Sequence, residues 1–274
     1  MKILHIEQEP IRTFSCFNVA PGGKRVEERQ IPVLRAVVDE LGSPELDAIL
    51  VTSDLQGYNS SEHPVGERRL LGHVVAEEAT ALFTDPSRVG VILGGDLYAI
   101  PELNKRGGLG DVEGVWSTFA RHFRWVVGVA GNHDSFAGHT DFLDVFADEP
   151  TAFPLHGTAV HLDGVWMGGV SGVHGPLVRP WRHSSRDFKR MFKSVLATRP
   201  DVLVLHEGPD HPDHPKAGRR AIRKALNKAE ASALVICGHR HWDTPLATLK
   251  GGTQILNVDS RVVLLTREET RLAV

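Results

Sequence analysis

Short apolar runs recur along this chain, separated by stretches in which apolar residues return every three to four positions. The runs Asp47–Ser53, Arg88–Leu93, Trp125–Ala130, Val202–Leu205 and Leu234–Cys237 are too short and too uniformly apolar for surface helices and predict buried strands. Between them lie helical stripes: Leu71, Val74, Val75, Ala79 and Leu82; Val115, Trp116, Phe119 and Ala120; Phe188, Met191, Phe192, Val195 and Leu196; Ala221, Ile222, Ala225, Leu226 and Ala229. A further stripe, Leu34, Val37, Val38 and Leu41 before Gly42, predicts a helix near the start. The last third turns to strands. Thr158–Leu162 and Val165–Val170 flank Asp163-Gly164, a hairpin signal. Leu246–Leu249, Thr253–Val258 and Arg261–Thr266 follow. The alternation predicts an α/β chain, a sandwich of two mixed sheets with helices outside. Residues 1–274 read as a single domain, with 1–46 as an extra strand (Met1–Ile6) and helix ahead of the first repeated run.

The chemistry gathers where the apolar runs stop. They lead into Asp54-Leu55-Gln56-Gly57, Gly95-Asp96, Gly131-Asn132-His133-Asp134, His206 and Gly238-His239-Arg240-His241. Sites in open α/β layers form at the carboxyl ends of strands. Mixed carboxylate, amide and imidazole donors suit Mn, Fe, Zn, Ni or Co. Two such ions roughly 3.5–4 Å apart clamp both oxygens of a phosphoryl displacement and lower the pKa of a water. Asp96 is the natural bridging ligand, and His133, beside the ligand-type Asn132, is free to donate a proton.

In this order the blocks resemble those of the calcineurin-like metallophosphoesterases: D-x-H, G-D, G-N-H-[DE], a lone H, and G-H-x-H. The resemblance runs from about Asp47 to Val258. It implies a four-layer α/β/β/α sandwich holding two divalent metal ions. It assigns Asp54 and Gln56 to the first ion, with His241 returning to it. Asp96 bridges, and Asn132, His206 and His239 take the second. His133 is implied as proton donor, oriented by Asp134. Gln56 stands where the family has His, and a neutral amide is a weaker donor for late transition metals. Glu7-Gln8-Glu9 after the first strand is the alternative first block, but Asp54-Leu55-Gln56-Gly57 keeps the Asp, the spacing and the Gly. Arg106, in a glycine-rich loop after the Asp96 strand, is a candidate phosphate contact.

Composition narrows the partners. A net charge of −3 with 41% hydrophobic residues describes a globular chain without the basic surface of a nonspecific nucleic-acid binder. A nuclease is therefore the less favoured reading, and a small phosphate ester, a diester or nucleotide, the favoured substrate. Two cysteines give no disulfide framework. No signal-peptide pattern or long apolar span is seen, so a cytoplasmic location without membrane contact is expected. Oligomeric state is not readable. The contrasting reading is a binding scaffold on the same fold, with catalysis lost at the first metal site. An intact His133 argues against it, since a scaffold has no use for a proton donor.

Overall fold

The computed structural model describes residues 1–273 apart from 21–24, 62–67, 106, 137–138, 140, 215–216 and 230–232. The first half runs β1 (Ile3–Ile6), β2 (Arg12–Val19), β3 (Val26–Val38), β4 (Ala48–Ser53), α1 (Leu71–Glu78), β5 (Val89–Leu93), β6 (Gly110–Asp111), α2 (Glu113–His122), β7 (Trp125–Gly128) and β8 (Asp134–Ser135). The second half runs β9 (Ala152–Pro154), β10 (Thr158–Leu162), β11 (Val165–Val170), β12 (Val173–His174), β13 (Arg182–His183), α3 (Ser185–Ala197), β14 (Val202–Glu207), α4 (Arg220–Ala229), β15 (Leu234–Gly238), β16 (Leu246–Thr248), β17 (Gln254–Asn257) and β18 (Arg261–Thr266).

An eight-stranded sheet has the order β1-β3-β18-β4-β5-β7-β9, with β2 also on β3, and a six-stranded sheet the order β10-β11-β14-β15-β17-β16. Strand periodicity explains the layering. In β4, Ala48 and Leu50 face the α1–α2 side while Ile49 and Val51 face the other sheet. In β14, Val202 and Val204 meet that inner layer while Leu203 and Leu205 face α3 and α4. Three apolar layers between four structural layers give the α/β/β/α sandwich, with both sheets buried on both faces, as their unbroken apolar runs require. In the first sheet β4, β5, β7 and β9 are parallel, and in the second β11, β14, β15 and β17 are. Their carboxyl ends deliver the ligand-type blocks to one edge.

Four of the five helical stripes are helices. The stripe at Leu34–Leu41 is not: Val26–Val38 is one strand, so the described residues of 1–46 contribute three strands and no helix. Its apolar residues suit a strand because it is wedged between neighbours. β3 pairs with β2 and β1 along one side and with β18 along the other from Val33 onward. Toward its end both faces are covered as well, so Ala36, Val37 and Val38 are all buried and the alternation that marks a half-exposed strand is lost. Pro32 falls just before the β18 pairing begins, where β3 has β2 as its ladder neighbour.

Candidate metal centre

The strand ends turn sharply. Asp54, Asp96 and His239 all hold left-handed backbone, at φ 56°, 56° and 65°. Such conformations cost of the order of 1–3 kcal/mol each and persist where the surroundings over-determine them. Here the neighbouring loops do so. A Cβ on Gly131 would stand 2.0 Å from Asp96 Oδ1, and one on Gly238 would stand 2.3 Å from Asp54 Oδ2. These glycines let backbone approach the carboxylates where no side chain fits.

Asp134 ties two of the loops together. Its carboxylate is fully buried and accepts backbone N–H bonds from Asp96, Leu97 and Gly131, each at 2.8 Å. It therefore holds the turns and does not contact the His133 ring, against the orienting role that the resemblance implies. The His133 ring rests instead on Gly108, whose N–H lies 3.1 Å from Nδ1 and whose carbonyl is also in contact with it. His133 Nε2 faces Asp96 Oδ2 at 3.9 Å, and its backbone N–H donates to Asp96 Oδ1 at 2.9 Å.

Asp96, His206 and His239 converge, with their donor atoms within 4.8 Å of one another. His206 Nδ1 donates to the Gly94 carbonyl at 2.7 Å, which fixes the ring and directs Nε2 inward, 3.4 Å from Asp96 Oδ1. That Nε2, and Asn132 Oδ1, are buried atoms without a hydrogen-bond partner. Buried polar atoms are nearly always paired, so this imidazole nitrogen and amide oxygen fit the ligand set of a divalent cation.

The electrostatics point the same way. Burial and then the nearby Asp259 push the Asp54 carboxyl well above the usual range. Burial and then Asp96 push Asp134 up to about 6. Burial disfavours charge on Asp96 too, but His206 outweighs it and holds Asp96 well below the ordinary carboxylate value. Burial lowers and Asp96 more than restores the His206 pKa, to about 10. The Gly94 carbonyl at Nδ1 and the Asp96 carboxylate beside Nε2 favour charge on this ring, and a metal ion would compete with a proton for Nε2. Burial and then His206 lower His239 to about 4, which leaves a neutral ligand-type imidazole.

The other implied ligands are arranged less completely. Asp54 is buried, and its Oδ2 accepts from the His239 N–H at 2.9 Å and from Ser53 Oγ at 2.6 Å. Gln56 is buried with Nε2 3.3 Å from Asp96 Oδ2, and turning the amide over would offer its oxygen there. His241 does not join the cluster: its side chain is 50% exposed, Nδ1 lies 3.0 Å from the Asp259 carbonyl, and Nε2 lies 3.0 Å from an Arg261 nitrogen. Glu7 is paired with Arg35 at 3.3 Å and Glu9 is exposed. Arg106 lies outside the described residues.

Sequence reasoning missed several neighbours. Glu207 accepts from His174 Nδ1 at 2.5 Å and from Arg219 at 3.0 Å, directly after His206. Asp259, 2% exposed, adds a carboxylate behind His241. It follows an apolar strand, so the strand-end rule covers it, but no motif claims it. Asn18, from β2, donates to the Gln56 carbonyl, and no local pattern signals that contact.

The calcineurin-like phosphoesterase family matches residues 47–243. Among solved structures, TT1561 of Thermus thermophilus is similar with a TM-score of 0.50 and 13% identity, over 78% of this chain and 90% of that one. Phosphopantetheinyl hydrolase from Mycobacterium tuberculosis matches with a TM-score of 0.46 and 16% identity, over 80% and 91%. At these identities the first likeness speaks for the fold alone. No curated protein matches the chain. The family match spans every block from Asp54 to His241, and with it this chain belongs to the calcineurin-like phosphoesterases, a family of metal-dependent phosphoester hydrolases.

Proposed function

We propose that this chain hydrolyses small phosphate esters, diesters foremost, at a two-metal centre. The observation that carries the reading is the convergence of Asp96, His206 and His239, with the buried Asn132 Oδ1 lacking a hydrogen-bond partner. In this reading Asn132, His206 and His239 hold one ion, Asp54 and Gln56 the other, and Asp96 bridges. His241 joins Asp54 and Gln56 if its ring turns away from Arg261. Divalent ions there would neutralise phosphate charge and lower the pKa of an attacking water. His133, with Nδ1–H held by the Gly108 carbonyl, would act as the imidazolium and donate its Nε2 proton to the leaving oxygen. Asp134 fixes the loops that set the His133–Asp96 distance. Gly131 and Gly238 keep the approach free of side chains.

Metal analysis and turnover of bis(p-nitrophenyl) phosphate test this together. Metal-dependent release of p-nitrophenol, lost with the metal in Asp96→Asn, is the expected result. A second reading, a binding scaffold, draws on Gln56 and on the outward His241. Bound metal without turnover of any mono- or diester would favour it.

A further inference from the structure

The N-terminal segment outside the family match reaches the metal edge and walls a pocket there. Residues 26–32 of β3 pair with β2 and overhang the start of β18, whose Arg261 lies opposite Ser53 at the end of β4. The overhang faces the loop after β15. Between them is a cavity of about 880 Å³, within the range of small-molecule sites. One wall is Ile31, Pro32 and Leu34, and the other Pro245 and Leu246. Gln8, Gln30 and Thr244 add uncharged hydrogen-bonding groups.

The pocket adjoins the Asp54 turn: Asp259, which lines it, bridges to Ser53, and His241 and Arg261 line it as well. Arg261 is 4% exposed, and its Nε is buried without a partner although a terminal guanidinium nitrogen donates to the Trp242 carbonyl at 2.6 Å. A cation at this junction suits the reacting phosphate. The remaining charge does not suit another. Glu7 pairs with Arg35 at 3.3 Å as Arg29 does with Glu27 at 2.6 Å, so the lining carboxylates of Asp243, which is exposed, and Asp259 are the charges set against a second phosphate.

We propose that this pocket, formed by the β3 overhang and the loop after β15, seats the organic group carried by the reacting phosphate. It selects an uncharged, nucleoside-sized group with apolar faces and hydrogen-bonding edges over one bearing a second phosphate. The proposal rests on the phosphoesterase reading above.

The test compares three p-nitrophenyl esters with the metal-loaded chain: methyl p-nitrophenyl phosphate, thymidine 5′-(p-nitrophenyl phosphate), and the latter carrying a 3′-phosphate. The thymidine ester should exceed the methyl ester in kcat/KM by about tenfold or more, the lower end for filling an apolar pocket. It should also exceed its 3′-phosphorylated form. Leu246→Trp should bring the first ratio close to one, through KM rather than kcat. Asp243→Lys, at an exposed position, should narrow the second ratio, and decides alone if the tryptophan variant does not fold. Wild-type ratios near one, or ratios that neither variant moves, would overturn the proposal. If no ester turns over, the phosphoesterase reading fails, and saturation-transfer NMR with thymidine decides the pocket by itself. Contact in the wild type that is lost in Leu246→Trp supports the seat; no contact in the wild type overturns it.

Discussion

His133 and Asp134 are adjacent, yet their side chains work in different places, and their variants should fail differently. His133 meets the backbone of Gly108 and the carboxylate of Asp96. Removing it leaves the converging donors intact, so His133→Ala should keep its metal and lose roughly 10²–10⁴-fold in kcat, the usual contribution of a positioned general acid. Metal analysis beside steady-state kinetics checks this, and the loss should shrink for esters with good leaving groups such as p-nitrophenol. Asp134 accepts three backbone bonds, with Oδ2 serving Asp96 and Gly131 and Oδ1 serving Leu97. In Asp134→Asn the amide oxygen can take the first two donors, but its amide nitrogen then faces the Leu97 N–H. One buried donor is left unpaired, at a cost of about 1–3 kcal/mol. Denaturant melts should show that loss together with weaker metal binding. The two cysteines make a simpler case. Burial pushes the Cys16 thiol up to about 11 and Cys237 up to about 12. Neither should react with a disulfide reagent at pH 8 in the folded chain, and both should react after denaturation.

At the scale of elements, the sequence is informative wherever an element is built from its own neighbours. The central strands are legible because parallel strands buried on both faces read as unbroken apolar runs. The ligand blocks are legible because each sits at such a strand's carboxyl end. α3 and α4 show clear stripes, since each covers one face of the second sheet. β3 imitates a helix in its spacing because one of its pairing partners, β18, lies more than 200 residues away in sequence. Local spacing does not carry that information. The same holds for the cationic face of α4, where Arg223 reaches back to buried Asp210 at 2.6 Å. The most consequential omission is the β2–β3 ribbon. Phe17 bridges to Tyr58, and Asn18 donates to the Gln56 carbonyl, so a segment outside the family match braces the first ligand block. Asn18→Ala should therefore weaken the more loosely held metal before it weakens the fold. Dialysis against graded chelator, read by elemental analysis, should show that ion leaving earlier than in the wild type while the circular dichroism is unchanged.

Over the whole molecule, the metal edge joins elements from both sheets that otherwise meet through the apolar layer between them. Asp54 and Asp96 come from the first sheet, and His206 and His239 from the second. A cation shared between them cross-links the two sheets, and the unfolded chain offers no such preformed arrangement. Binding free energy then becomes folding free energy. At free metal one hundred times the dissociation constant the gain is about 2.7 kcal/mol per site. For a chain of this size that corresponds to a rise in Tm of roughly 5–10 °C, at about 2–4 °C per kcal/mol. Thermal melts with and without Mn²⁺, after chelation, should show it. On the proposed two-metal reading, Asp96→Asn should abolish the shift, because it neutralises the carboxylate assigned to both ions, while Gln56→His should enlarge it by giving one of them a better donor. A melt insensitive to Mn²⁺, Zn²⁺ and Co²⁺ alike would mean that the convergence of Asp96, His206 and His239 serves the fold through the His206–Asp96 charge contact and not through a metal.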